Sequence, residues 1–229
     1  SMSHVEFTKE MKKTHTILVP MMLPIHFQFL RNILCKEGYR VEILKTEGQQ
    51  IIDEGLKNVH NDTCYPALLV IGQMIDALKS GKYDTAHIAL AITQTGGGCR
   101  ASNYIHLLRK ALVQAGFEHV PVISVNFSQL EKNSGFKLTP KMLLRLLYAF
   151  LYGDMLMWIK NQCKPYELEK GSTDALVTTW IDTITAQFDS LSYMRMKHNY
   201  QEMLHDFAAL PRSQKPKIQV RSEEHTSEL

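Results

Sequence analysis

The chain has 229 residues, of which 45% are hydrophobic and 21% are charged, and its formal net charge is +3 at pH 7. This composition is typical of a folded globular protein with one large or two small domains, and it excludes a disordered or low-complexity chain. The small positive charge is spread along the chain, so it gives no reason to expect a nucleic-acid partner.

The cysteine pattern and the hydropathy of the chain predict the cellular compartment of the protein. The four cysteines, Cys35, Cys64, Cys99 and Cys163, lie far apart and include no C-x-x-C pair. In a chain without a signal peptide this favours free thiols in a reducing cytoplasm over a disulfide framework. By this interpretation no apolar stretch approaches the roughly 18 residues that span a bilayer, so we expect a cytoplasmic protein without a membrane partner.

The first 126 residues alternate between strand-like and helix-like segments. In chain order the predicted elements are a strand at 14–22, a helix at 24–37, a strand at 40–44, helices at 49–59 and 64–79, a strand from Ile88 up to three glycines, a helix at 100–115 and a strand at 120–125. Two of these helices place apolar residues on one face: Ile25, Phe29, Ile33 and Leu34 on the first, and Leu69, Ile71, Ile75 and Leu78 on the helix at 64–79. Such alternation predicts an α/β fold with a parallel sheet and right-handed crossovers.

Beyond residue 126 the pattern becomes helical. Residues 139–162 are long and strongly apolar, residues 174–210 predict one or two further helices, and residues 217–220 are typical of the start of another strand. Trp158 and Trp180 occur at helical spacing, which fits either core positions or subunit contacts.

These patterns divide the chain into segments. We predict a lead-in at 1–13, an α/β module at 14–136, a mostly helical segment at 137–211 and the start of a further module at 212–220. Residues 221–229 resemble the translation of a sequencing adapter, and we expect them not to be native. On this interpretation the natural sequence breaks off near Val220 and the chain is a fragment.

Cys64 and Cys99 are the informative pair of cysteines. Each precedes or opens a predicted helix, and a helix N-terminus lowers the pKa of a thiol and makes it a better metal ligand. Because loops that lead from strands into helices gather at the carboxyl edge of a parallel sheet, both thiols are expected there. Two thiolates beside glycines suit an iron–sulfur cluster, although such clusters usually take four thiolates. The alternative is that both are buried free cysteines.

The glycine turn at residues 96–98 also resembles a phosphate cradle. It lacks the G-K-[ST] ending of a P-loop and the G-x-G-x-x-G spacing of a dinucleotide site. An anion site for the phosphates of a coenzyme, assisted by Arg100, stays open.

Two longer motifs surround these cysteines, N-D-T-C-Y-P-A at residues 61–67 and T-Q-T-G-G-G-C-R-A-S-N-Y at residues 93–104. With them the chain resembles the activase-related proteins of the 2-hydroxyacyl-CoA dehydratase and benzoyl-CoA reductase superfamily. In anaerobic bacteria these are very long polypeptides in which ATPase activase domains precede a dehydratase-like part. The similarity covers nearly all of residues 5–220.

The resemblance implies a Rossmann- or flavodoxin-like module that holds a 4Fe-4S or double-cubane cluster through cysteines. Carried over, Cys64 and Cys99 are cluster ligands, and a third ligand belongs to a downstream module, so the cluster is expected to be incomplete in this fragment. Further candidates for contacts to the cluster or ligand are Gly97, Gly98, Arg100, Gln94 and Asn103.

Taken together, we expect part of an enzyme, namely the cluster-bearing portion of an ATP-driven, low-potential reductase or dehydratase. An activase domain in the same polypeptide would supply electrons, and the substrate would be an acyl-CoA or another small molecule. The fragment alone is expected to be inactive, and a homodimer is left open. The alternative is a non-catalytic docking or CoA-like ligand-binding module without a cluster.

Overall fold

The structure is a computed structural model that describes residues 5–21, 23–45, 65–94, 104–126 and 135–214. The chain divides into two compact units, Ser1–Leu146 and Leu147–Leu229. The predicted helix at 49–59, the predicted strand at 217–220 and the tail at 221–229 lie outside the described residues. The predicted segment boundaries stay predictions.

The first unit contains a parallel sheet built from four strands of the described residues. These are β1 (Thr16–Val19), β2 (Arg40–Ile43), β3 (Ile88–Gln94) and β4 (Val122–Asn126). Their order across the sheet is β2-β1-β3-β4, and each neighbouring pair is parallel. The predicted α/β class with a Rossmann- or flavodoxin-like parallel sheet is therefore confirmed.

Four helices of the described residues accompany the sheet: α1 (Met11–Thr14), α2 (Pro24–Lys36), α3 (Tyr65–Lys79) and α4 (Tyr104–Gln114). The sequence explains the limits of α2 particularly well. Pro24 occupies the first helical position, where its missing N–H costs nothing. Gly38, with φ +91°, provides the left-handed turn just after the helix. The predicted helix at 24–37 is thus confirmed to within one residue.

The central strands β1 and β3 are buried on both faces, which explains why they lack the polar alternation that the edge strand β2 shows. On one face Ile88, Leu90 and Ile92 pack with apolar residues of α3 and α4. On the other face the smaller Ala89 and Ala91 pack with a cluster that includes residues of α2. Ile25, Phe29, Ile33 and Leu34 of α2 are all buried, as predicted. On α3 the prediction is wrong for Leu69, which is only half-buried.

Three long helices follow: α5 (Pro140–Cys163), α6 (Ser172–Ala186) and α7 (Tyr193–Ala208). The helical segment predicted after the sheet is confirmed, and the stretch at 174–210 forms two helices rather than one. The second of these helices, α7, begins directly after Ser192. The Ser192 hydroxyl caps it by accepting a hydrogen bond from the Arg195 N–H at 3.1 Å.

The second unit has its own core, in which polar groups are paired. Trp180 is buried, and its indole N–H donates to Asp206 Oδ2 at 3.1 Å. The Asn199 side-chain amide, also buried, donates to the hydroxyl of Tyr152 at 2.9 Å and to Gln187 Oε1 at 2.7 Å. Trp158 is instead 55% exposed, so the core interpretation is wrong for it and the subunit-contact interpretation stays a prediction.

Helix α5 contradicts the expectation that every apolar stretch is too short to span a bilayer. The helical stretch Pro140–Tyr166 contains an 18-residue window of mean hydropathy 1.4, so by length and composition it could cross a membrane. Of that window 44% is buried inside the protein. The expectation that no apolar stretch approaches the length of a bilayer span is therefore wrong, and a core helix of a folded domain meets the same criteria.

Candidate functional site

The order of the strands creates a crevice between β1 and β3 at the carboxyl edge of the sheet. The chain leaves β1 into α2, which packs on one face, and leaves β3 toward α4, which packs on the other. In open α/β sheets ligands bind where the connections diverge in this way. The fold therefore indicates the β1–β3 crevice as the place for a functional site.

A hydrogen bond connects helix α3 to the carboxyl edge of the sheet. The Met21 N–H, just beyond β1, donates to Oε1 of Gln73, a buried residue of α3, at 3.3 Å. The stretch from Tyr65 to Gln73 adds about 12 Å of helix at 1.5 Å per residue. Because α3 connects β2 to β3, it runs opposite to the strands, and its first turn lies on the carboxyl side of Met21. Cys64 is the residue that directly precedes this turn in the chain.

Most of the predicted site residues lie outside the described residues: Cys64, Gly97, Gly98, Cys99, Arg100 and Asn103. The structure gives no position for them, so it neither brings the two cysteines together nor separates them. Gln94 is the last residue of β3, and its backbone lies opposite Asn126 of β4. The carboxyl edge is therefore located by Gln94, while its predicted ligands stay predictions.

The other two cysteines, Cys35 and Cys163, lie among the described residues. Cys35 is exposed near the C-terminal end of α2, which points to the opposite edge of the sheet. Cys163 ends α5 and is half-buried, and this burial raises the pKa of its thiol. A raised pKa disfavours the thiolate that a metal would need. Among the described residues no group of three or more His, Cys, Asp or Glu side chains could hold a metal ion.

Two polar residues near the crevice were missed by the sequence reasoning. His26 is buried in the first turn of α2, immediately after β1, and Gln73 is buried on α3. The signal for His26 was Pro24, because a proline at the first helical position after a strand marks a helix N-terminus at the carboxyl edge. Gln73 gave no comparable signal, since its role depends on a contact with a residue distant in the sequence.

A cavity of about 700 Å³ lies beside the edge strand β2. Glu42 of β2 accepts a hydrogen bond from the hydroxyl of Tyr83 at 2.7 Å, and the Lys82 ammonium lies 3.7 Å from the same carboxylate. Burial, together with this hydrogen bond to a carboxylate, raises the pKa of Tyr83 to about 12. The phenol therefore stays protonated at neutral pH, which is suited to fixing the edge strand rather than to acting as a base.

Comparison with known proteins adds no family assignment: no family model matches this chain, and no curated protein or solved structure is significantly similar to it.

Proposed function

We propose that this chain is the cluster-binding portion of an ATP-driven, low-potential reductase or dehydratase of the 2-hydroxyacyl-CoA dehydratase type. The observation that carries the proposal is the strand order β2-β1-β3-β4. It puts the chain neighbours of both candidate cysteines at the edge where open α/β sheets bind ligands. The cysteine motifs at 61–67 and 93–104, which resemble those of this superfamily, supply the chemical identity of the proposed ligand.

The chain length limits how far the two thiols can lie from the carboxyl edge. Cys64 adjoins Tyr65, the first residue of α3, and Cys99 follows Gln94 by five residues. Five residues span at most about 18 Å even when fully extended. Both thiols are thus tethered to the same edge of the sheet, which is the minimum requirement for a shared ligand.

In the proposed site Cys64 and Cys99 hold an iron–sulfur cluster, of the 4Fe-4S or double-cubane type, through their thiolates. When bound, the cluster supplies one-electron transfer at low potential. The backbone N–H groups of Gly97, Gly98 and Arg100 are the proposed donors to its sulfur atoms, because hydrogen bonds to sulfur tune the potential.

The remaining assignments concern substrate and partners. Gln94 and Asn103 are the proposed contacts to the substrate, an acyl-CoA or another small molecule, and Arg100 offers a positive charge to its phosphates. The proposed electron source is an ATP-dependent activase domain in the same polypeptide. We place the protein in the cytoplasm, where reduced thiols persist, and a homodimer would be one way to complete the ligand set.

Iron content tests the proposal. The native polypeptide, as the cell makes it, is purified without oxygen together with Cys64→Ala and Cys99→Ala variants. Cys35→Ala and Cys163→Ala are the matched controls, because one thiol is exposed at the far end of α2 and the other has a raised pKa. We expect iron, acid-labile sulfide and visible absorbance to fall in the first two variants and to stay at the wild-type level in the controls.

Two results would overturn the proposal. Wild-type protein without iron would remove the cluster and leave the alternative, a docking or CoA-like ligand-binding module. Full iron content in Cys64→Ala and Cys99→Ala would move the ligands to other residues. Circular dichroism of each variant checks that the helices are retained, so that lost iron is not lost structure.

A further inference from the structure

A second pocket lies on the first unit, at the opposite, amino edge of the sheet. Its volume is about 360 Å³, and among the described residues three chain segments line it: the start of the chain with Lys9 and Lys12, the turn before β2 with Tyr39, and the segment that leads into α5 with Lys137. Gln94, the described residue of the proposed cluster site, does not line this pocket.

Backbone contacts fix the walls of this amino-edge pocket relative to one another. The Gly135 N–H donates to the Phe7 carbonyl at 2.9 Å, and a methyl group on Gly135 would overlap the Thr8 carbonyl. The buried Tyr39 hydroxyl donates to the Gly135 carbonyl at 3.1 Å and accepts from the Lys137 N–H at 3.4 Å. The pocket is therefore preformed by main-chain packing, which lowers the entropic cost of binding a ligand.

Positive charge dominates the lining. The Lys12 ammonium lies over the ring of Tyr39, 4.4 Å from its centroid, while Lys9 and Lys137 are exposed at the rim. Within the described part of the chain none of these three lysines forms an ion pair with a carboxylate. Three lysines that line one cavity, none of them paired with a carboxylate in the described part of the chain, create a potential that attracts anions.

The one carboxylate among the described lining residues, that of Glu37, is already neutralised. Glu37 pairs with Nη1 of Arg145 at 2.9 Å, and the side chain of Arg145 is only 6% exposed. This charge-assisted hydrogen bond keeps the carboxylate turned toward Arg145, so Glu37 does not cancel the charge of the lysines.

The first turn of α5 adds to the same potential. Thr139, in the pocket lining, caps this 24-residue helix by accepting a hydrogen bond from the Met142 N–H at 3.2 Å. The helix N-terminus therefore faces the pocket with its positive dipole end. This contribution reinforces the lysines, which remain the main source of charge.

We propose that the amino-edge pocket binds the phosphate group of a small molecule through Lys9, Lys12 and Lys137. Lysine binds phosphate as a point charge, and three lysines from two distant segments of the chain can contact the oxygens of one group. The aromatic floor formed by Tyr39 keeps Lys12 in place, since a cation over a ring face is attracted by it. The lining residues belong to the amino edge of the sheet, so the site does not depend on the proposed cluster.

Titration of the full chain with inorganic phosphate and with pyrophosphate, followed by ³¹P NMR and calorimetry, tests this assignment. The variants are Lys9→Gln, Lys12→Met and Lys137→Gln, and the matched control is Lys13→Gln, an exposed lysine on α1 that does not line the pocket. We expect Lys12→Met to weaken binding by about tenfold or more, the value for loss of one charged contact. Lys13→Gln should change the affinity by less than about twofold, as a surface charge outside the site.

Each possible result either supports or overturns the proposed phosphate site. Saturable binding that falls in the three pocket variants and survives in the control supports the site, and preference for phosphate or pyrophosphate tells which group it takes. Absence of binding by wild-type protein overturns the proposal, as does equal weakening by Lys13→Gln, which would mean unspecific attraction to a basic surface. Thermal unfolding of each variant checks that binding is lost from a folded protein.

Discussion

The two edges of the sheet are built in different ways. At the amino edge, backbone hydrogen bonds and a ring contact join three distant segments around Tyr39, and the ring of Tyr39 holds the charge of Lys12 in place. At the carboxyl edge, the described residues are strand ends and helix starts, joined by the contact between Met21 and Gln73. The amino edge is thus a preformed pocket, and the described part of the carboxyl edge carries the chain neighbours of the predicted cluster ligands.

This difference indicates what each edge can do. A preformed pocket suits binding of a small charged group, because little ordering is needed when the ligand arrives. The carboxyl edge suits a larger ligand, because open α/β sheets bind ligands outside the carboxyl ends of their strands. Variants that damage one edge should therefore leave the function of the other intact.

The largest effect is expected for Gly135→Ala at the amino edge. The added methyl overlaps the Thr8 carbonyl, so the segment around Phe7 must move away from Gly135. We expect a loss of about 3 kcal/mol in the free energy of unfolding, at the upper end of overpacking effects. Phosphate binding should also be lost, whereas the iron content of the native polypeptide should not change. Chemical denaturation and the phosphate titration measure the two effects.

Gly116→Ala is the control for this variant. Gly116 has φ +82°, but a methyl there would meet nothing within 4 Å. The backbone strain alone should cost about 1 kcal/mol, and phosphate binding should be unchanged. Equal losses of stability in both variants would show that the close approach of Gly135 to Thr8 is not what fixes the pocket.

A smaller effect is expected for Gln73→Leu at the carboxyl edge. The change removes the acceptor of the Met21 N–H, which should cost about 1 kcal/mol of unfolding free energy. Because this bond fastens α3 beside β1, iron content should also fall, while phosphate binding at the amino edge should persist. Gln114→Leu, an exposed position at the end of α4, serves as the control and should change stability by less than about 0.5 kcal/mol. Unchanged stability in Gln73→Leu would contradict the proposed anchoring of α3.

The sheet could be predicted from the sequence because its signals are local. The apolar run that starts at Ile88 is typical of a strand buried on both faces, and Pro24 marks the start of the helix after β1. Leu69 was wrongly placed in the core because a residue at helical spacing can still fall at the margin of a buried face. The predictions for Cys64 and Cys99 depend on motifs and remain predictions.

The amino-edge pocket could not be predicted in this way. Lys12, Tyr39 and Lys137 are far apart in the sequence, and no motif links them. They meet because Gly135 lacks a side chain and can lie against the backbone at Thr8. That contact is a property of the packed structure, so pattern and spacing give no sign of it.

The pH dependence of unfolding at alkaline pH tests the contact between Tyr83 and the edge strand β2. The pKa of Tyr83 is raised from the ordinary 10.0 to about 12, so the folded state holds the phenolic proton more tightly than the unfolded state does. This stabilisation is complete below pH 10.0 and is lost as the pH rises toward 12. Tyr83→Phe should remove this part of the pH dependence, equivalent to about one proton per molecule. The free energy of unfolding between these pH values measures it, and an equally steep decline in the variant would contradict the assignment.

The smallest effect concerns the pKa of His15, a residue that precedes β1 at the amino edge of the sheet. Its ring lies near that of His87, the residue before β3, and the two ring centroids are 5.5 Å apart. Burial lowers the pKa of His15, the charge of His87 lowers it further, and Asp84 acts in the opposite direction. His87→Gln removes one charge and frees the Asp84 carboxylate from its 2.7 Å contact with His87, so both consequences should raise the pKa of His15. Since burial is the leading cause, the value should stay below 6.5. NMR titration of the His15 ring follows this change, with His119→Gln as the control. A pKa that falls in His87→Gln would show that the two rings do not interact through their charges, and that the amino edge is less tightly organised than its contacts indicate.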